Sequence, residues 1–116
     1  MNILDKTDDE ILEIANPMWS NLLKNSNNQN YIGFTKHFSK EMLRGANEIE
    51  VGKQWARNEL TKNLCKEMEL LGILRRGECV SVLYKQKNNN IPGEYLGRLV
   101  LGVEDGAVRI FGATIF

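Results

Sequence analysis

From residue 67 onward, this chain has little freedom in how it can pair with itself. Two turn signals, Arg76-Gly77 and Asp105-Gly106, separate runs rich in Val, Ile, Leu, Tyr and Phe. Such dipeptides between alternating runs are the strongest short-range hairpin signal. Taking Asp105-Gly106 as a two-residue turn sets Val103 opposite Val108, Leu101 opposite Ile110, Leu99 opposite Gly112 and Tyr95 opposite Phe116. Taking Arg76-Gly77 likewise sets Ile73 opposite Val80 and Leu71 opposite Val82. Closing the loop Asn88 to Gly93 brings Val80, Val82 and Tyr84 beside Leu101, Leu99 and Gly97. One alternation runs through all three junctions, whereas a slipped register would scramble it. The strands fall at about 67–75, 78–87, 94–103 and 107–116, as a four-stranded antiparallel meander.

The N-terminal part reads as helices. Thr7-Asp8-Asp9-Glu10 is a capping box that opens the first. Ile11, Leu12, Ala15, Met18, Trp19, Leu22 and Leu23 follow on one face at helical spacing. Pro17 removes one backbone hydrogen bond, so a kink or a restart is expected there, and the polar run 25–30 ends the helix. A second helix covers 30–37, with Tyr31, Phe34 and Phe38 inward, and Ser39 caps a further short turn carrying Met42 and Leu43. A third spans 48–64, with Gly52, Trp55, Ala56, Leu60 and Leu64 inward and Lys53, Arg57, Glu59 and Lys62 on a solvated face. Helices first and strands after is the α+β pattern, with three helices packed on one face of the sheet.

A chain of 116 residues builds one domain, residues 1–116, with a core that needs no staples. Lys plus Arg and Asp plus Glu both number 15, so no net charge draws the chain to nucleic acid or an anionic membrane. The N-terminal ten residues are polar and acidic, and no secretory or transmembrane run follows, which reads as cytoplasmic; a signal peptide already removed is the open alternative. Cys65, Cys79 and the lone His37 make no metal-ligand spacing, so no metal or other cofactor is expected and the cysteines read as reduced, semi-buried residues.

The two sheet faces differ. Leu71, Ile73, Val80, Val82, Tyr84, Tyr95, Leu99, Leu101, Val103, Val108, Ile110, Thr114 and Phe116 share a face with no charge until Glu69, and this face should receive the helices. The other carries Leu70, Leu74, Cys79, Ser81, Leu83, Lys85, Leu96, Arg98, Val100, Arg109, Phe111, Ala113 and Ile115. That is too apolar for a solvated face, so a homodimer is expected through Leu83, Leu96, Arg98, Val100, Arg109, Phe111 and Ile115. A curved or bulged sheet that tucks part of this face inward, or a different partner chain on it, would serve the same residues.

Three patterns carry a family resemblance. Asn30-Tyr31 is followed by Phe38-Ser39-Lys40-Glu41-Met42; Gln54-Trp55 sits on a helix leading to the first long strand; and Val82-x-Tyr84-Lys85 is followed by a closing Val108-Arg109-Ile110-Phe111-Gly112. Together they resemble small members of the nuclear transport factor 2-like superfamily, the cystatin-like α+β cone. The resemblance covers nearly the whole chain and its motifs are structural. It implies a curved sheet wrapped around helices, a cavity at the wide end of a cone, and dimers through the outer sheet face. Enzymes of this fold place an Asp or an Asp/His pair in that cavity, where apolar walls raise a carboxyl pKa.

Few residues here could do such chemistry. Glu69 falls inward opposite Tyr84, and the pair could polarise a carbonyl; Glu69 could equally be a wet strand-start residue. His37, at a helix end, is a base or a surface residue. The aspartates, Asp5, Asp8, Asp9 and Asp105, lie in the N-terminal segment or a turn. Trp19, Tyr31, Trp55, Glu69, Tyr84 and Tyr95 could line an apolar pocket with polar tips, or pack as core. The expected function is a non-catalytic homodimeric domain that binds a small apolar ligand or serves as an interaction module. The alternative is a lyase or isomerase of a small hydrophobic carbonyl compound.

Overall fold

Asp105 and Gly106 both adopt positive φ, 52° and 79°, as the predicted two-residue hairpin turn demands. The computed structural model describes residues 2–116. Its sheet is an antiparallel meander of β1 (Leu64–Arg76), β2 (Cys79–Asn88), β3 (Tyr95–Glu104) and β4 (Ala107–Ile115), in that order. Helices precede it: α1 (Asp8–Asn27), α2 (Tyr31–Phe34), α3 (Lys40–Gly45) and α4 (Glu48–Arg57), with short 3-10 turns at Ile3–Asp5 and Glu59–Thr61.

Among the described residues there are thus four α-helices where three were expected. The Thr7–Glu10 capping box is present, and α1 runs unbroken through Pro17. The segment after α2 forms α3, capped by the Ser39 side chain on the Met42 amide. The expected helix over 48–64 stops at Arg57. Asn58 leaves helical geometry and turns its side chain onto the Leu60 amide, and Asn63 takes φ 61°. Asn competes well for such local backbone bonds. Val51 and Trp55 are the buried residues of α4, and Gly52 and Ala56 are exposed.

The β2–β3 register is the predicted one: Val80, Val82 and Tyr84 stand beside Leu101, Leu99 and Gly97. The other two junctions need correction. The first hairpin turns on Gly77-Glu78, with Gly77 at φ 62°, because the turn that starts on positive φ wants its glycine first. Ile73 therefore pairs with Val82, a shift of two that keeps the faces. A β-bulge between Leu70 and Gly72 does change faces. Below it Leu70 pairs with Tyr84 and Glu69 pairs with Lys85. Leu70 thus turns to the helix side, Glu69 to the outer side, and Leu71 bulges out, 55% exposed. A second bulge on β4 lies at Phe111, where Leu101 pairs with Ile110 but Val100 pairs with Gly112. Leu99 then meets Ala113 and Gly97 meets Ile115. Ala113 and Ile115 pack against the core, while Thr114 and Phe116 fall on the outer side, the reverse of the expectation for all four.

The core lies between α1 and the sheet. Ile11, Ala15, Trp19, Leu22 and Leu23 meet Val80, Val82, Tyr84, Leu99, Leu101 and Ile110. Trp19 is its centre. Its ring stacks on Tyr84 with centroids 5.2 Å apart and an interplanar angle of 19°. Its edge lies so close to the Gly97 backbone that a Cβ there would clash with the indole. Gly97→Ala therefore displaces Trp19 and should cost about 1–3 kcal/mol by overpacking. Denaturant unfolding reads this directly; an unchanged midpoint would show that the indole has room to move.

Candidate functional site

Trp19 and Trp55 do come together, at the wall of one cleft of about 410 Å³. That volume is in the range of small-molecule sites. The cleft lies between α1, α4 and the final residues of β4. Its floor is Trp19, Leu22, Leu23 and Leu64, its sides are Phe34, Val51, Trp55, Ala113 and Ile115, its polar margin is Ser26, Gln54, Asn58 and Thr61, and Thr114 borders it at the strand edge. None of these side chains is charged. A second depression of about 430 Å³, beyond Leu23 and Leu64, is bordered by Lys24, Lys66 and polar side chains instead.

Local sequence explains how the walls are held. Phe34 meets Trp55 edge-on at 5.4 Å and Phe38 at 5.3 Å, so three aromatics brace one side. Buried Ser26 accepts the Trp55 indole N–H at 3.0 Å and donates to the Thr61 carbonyl, tying α1 to α4 and to the turn after it. Asn27 makes a two-way pair with the Leu64 backbone, donating to its carbonyl at 2.9 Å and accepting from its amide at 2.8 Å. Behind Trp19, the fully buried Gln86 accepts the indole N–H at 3.1 Å. Its amide nitrogen donates to the carbonyls of Cys65 at 2.7 Å and Glu67 at 3.2 Å, where β1 is irregular.

The remaining expected pocket residues lie elsewhere. Tyr84 is buried behind Trp19 and donates its hydroxyl to Asn16 Oδ1 at 2.8 Å. Burial pushes the Tyr84 pKa far up, so the hydroxyl stays neutral. Tyr31 donates to the Ala46 carbonyl, fastening α2 to the entry of α4, and Tyr95 donates to Pro92 in the loop before β3. Glu69 is on the opposite face of the sheet, where Lys85 Nζ lies 2.8 Å from it and holds its carboxyl below the usual range. The expected Glu69–Tyr84 pair is thus absent, because the Leu71 bulge turns the two residues to opposite faces. His37 lies against β4, where its carbonyl accepts the Ile110 amide; partial burial, with Lys36 and Arg109 near, lowers its pKa.

Sequence reading missed Leu22, Leu23, Ser26, Phe34, Val51, Gln54, Asn58, Thr61, Leu64, Ala113, Thr114 and Ile115 as cleft residues. Ser26 sits in a run read only as a helix end, and Ala113 and Ile115 reach the cleft through a bulge. Of the expected dimer residues, Leu83, Leu96, Arg98, Val100, Arg109 and Phe111 lie half-buried on the outer face beside the exposed Leu74. Ile115 does not, since the bulge at Phe111 turns it into the cleft.

Among the described residues no group of three or more His, Cys, Asp and Glu is placed to hold a metal ion. No helix there is long and apolar enough to cross a membrane. The chain matches no protein-family model and no curated protein.

The raised Tyr84 pKa sets an alkaline limit. The unfolded tyrosine ionises near pH 10 while the folded one does not, so the unfolded state loses protons first. The stability tied to this group is fully present below pH 10 and is lost above it, by about 1.4 kcal/mol per pH unit. Tyr84→Phe should cost about 1 kcal/mol at neutral pH through the lost Asn16 bond, and should flatten the alkaline slope relative to the native chain. Parallel slopes in unfolding titrations from pH 9 to about 11.5 would show that Tyr84 is not the group responsible.

Proposed function

We propose that this chain is a non-catalytic binding domain that takes a small, neutral, mostly apolar molecule in the cleft between α1, α4 and β4. The observation that carries this reading is the chemistry of the lining. Three aromatics and a set of aliphatic side chains form the walls, amides and hydroxyls stand at the margin, and no side chain of the lining can move a proton near neutral pH. A carboxylate or ammonium ligand would lose its hydration there without gaining a partner. A neutral molecule gains from apolar burial and can use Gln54, Asn58 or Thr61 for orientation. The lyase or isomerase alternative drew on Glu69 with Tyr84, or on His37. Glu69 is outside with Lys85, Tyr84 is committed to Asn16, and His37 is not part of the lining.

The resemblance to the nuclear transport factor 2-like superfamily supports the same reading. In that view the sheet is the wall of a cone, the helices fill it, and the cleft is what remains open at the wide end. The element order of helices and then an antiparallel meander accords with it. We further propose that the chain pairs with a second copy through the outer sheet face, which no helix covers among the described residues. Leu74, Leu83, Val100 and Phe111 make it apolar, and Arg98 and Arg109 stand among them. The free thiols of Cys65 and Cys79 suit a reducing compartment such as the cytoplasm.

The ligand reading is tested with Nile red, a neutral apolar dye. One dye should bind per chain and quench tryptophan emission. Gln54→Trp, a change at an exposed margin position, should narrow the mouth and weaken binding about tenfold. Equal binding by both proteins would remove the cleft as the site. The dimer is tested by light scattering at micromolar concentration, with twice the chain mass expected for the native protein. Val100→Arg adds a like charge beside Arg98 in the face and should give the single-chain mass. A native chain that already scatters as a monomer would sink the dimer.

A further inference from the structure

One wall of the cleft is made of backbone. In an antiparallel ladder, paired residues alternate between those that exchange both hydrogen bonds and those whose N–H and C=O point away. Leu96 and Phe116 exchange both bonds, each amide to the other's carbonyl, at 2.8 and 3.0 Å. Counting back, Thr114 is bonded to Arg98, whereas Ala113 and Ile115 point their N–H and C=O groups away from β3. Those groups stand on the free edge of β4, and both residues line the cleft. Among the described residues, no backbone bond from another element reaches either of them.

The chain itself shows what this edge accepts. Ile110, the preceding outward-pointing residue before the bulge, is already paired. Its amide donates to the His37 carbonyl at 2.8 Å, and its carbonyl accepts the Ser39 amide at 2.9 Å, as a parallel bridge between Phe38 and Ile110. The segment then turns away into α3, and the edge continues uncovered along Ala113 and Ile115. The other edge of the sheet is less suited to a partner. β1 is broken by the bulge at Leu71, and near its start Gln86 occupies the Cys65 and Glu67 carbonyls.

We infer that the occupant of the cleft is an extended, uncharged polypeptide segment that adds a strand to the β4 edge at Ala113 and Ile115. This rests on the cleft being a binding site, as proposed above, and names the class of molecule it takes. Outward backbone groups two residues apart match the repeat of an extended strand. Strand addition draws affinity from main-chain hydrogen bonds and selectivity from pockets for alternate side chains. Here that pocket is apolar, with Phe34, Val51 and Trp55 across from the edge, and the lining carries no charge to meet an acidic or basic side chain. The new strand would continue the pairing that residues 37–39 begin.

The test uses the full chain and a blocked pentapeptide of alternating threonine and valine. Two further versions carry N-methyl groups on alternate backbone nitrogens, one in each register. Tryptophan fluorescence should show binding of the parent and of one methylated version. The other, whose methyl groups fall on the edge-facing nitrogens, should bind about tenfold more weakly. Ala113→Pro removes one edge-facing N–H without touching the β3 ladder, at a position where an edge strand tolerates proline. It too should lose about tenfold for the peptide relative to the native chain. Equal binding of both methylated peptides would overturn strand addition. If Nile red binds and no peptide does, the inference falls and the cleft reading stands. If neither binds, both fall.

Discussion

Trp19 can approach the sheet this closely only because residue 97 has no side chain. An indole over a glycine backbone, stacked on Tyr84 and hydrogen-bonded to Gln86, fixes how closely α1 approaches β2 and β3. Much else depends on that distance. Gln86, once held by the indole, satisfies two carbonyls where β1 departs from regular pairing, so a buried polar side chain completes a ladder that the strand itself leaves incomplete. Such a group is costly when unpaired and specifying when paired. The outer edge of the same indole becomes the floor of the cleft. Core and site therefore share a residue, and a change that loosens one reaches the other.

The parts legible in the sequence were those that local chemistry decides. Thr7 and Glu10, Ser39, and Asp105-Gly106 each act within a few residues, and each does what its type predicts. The β2–β3 register was readable because both strands keep strict alternation with no inserted residue. What failed was period two carried across a bulge. Leu71 and Phe111 are apolar residues inside apolar runs, so nothing in composition marks them as the extra residue. Each inverts the faces of everything beyond it. The two errors with functional weight, Glu69 as an inward acid and Ile115 as a dimer residue, both follow from this. A signal did exist for the first, since Lys85 is a ready partner for Glu69 only if the two share the outer face.

The candidate site was legible only in its two tryptophans, for a related reason. Trp19 and Trp55 announce themselves as large aromatics with a polar edge, and both line the cleft. The polar margin did not, because Asn58 and Thr61 belong to a break after α4 that helical periodicity reads straight through. The early end of α4 at Arg57 leaves the following turn to stand beside the cleft, held by Ser26 through the Thr61 carbonyl.

The bulge at Phe111 links the two apolar surfaces of the sheet. One extra residue on β4 leaves Phe111 outward, over Gly102, and sends Ala113 and Ile115 inward to the cleft. Without it Thr114 and Phe116 would face the helices, and the cleft wall would carry a hydroxyl and a bulky ring in place of two aliphatic side chains. Bulges tend to be found where a strand must re-aim its side chains, at rims and beside sites. Here the re-aiming also spaces the outward backbone groups. Ile110 is consumed by residues 37–39, and after the inserted residue the next outward groups fall at Ala113 and Ile115, beyond the reach of that segment. The same insertion that breaks the sequence pattern thus places the open edge groups at Ala113 and Ile115, two residues that line the cleft.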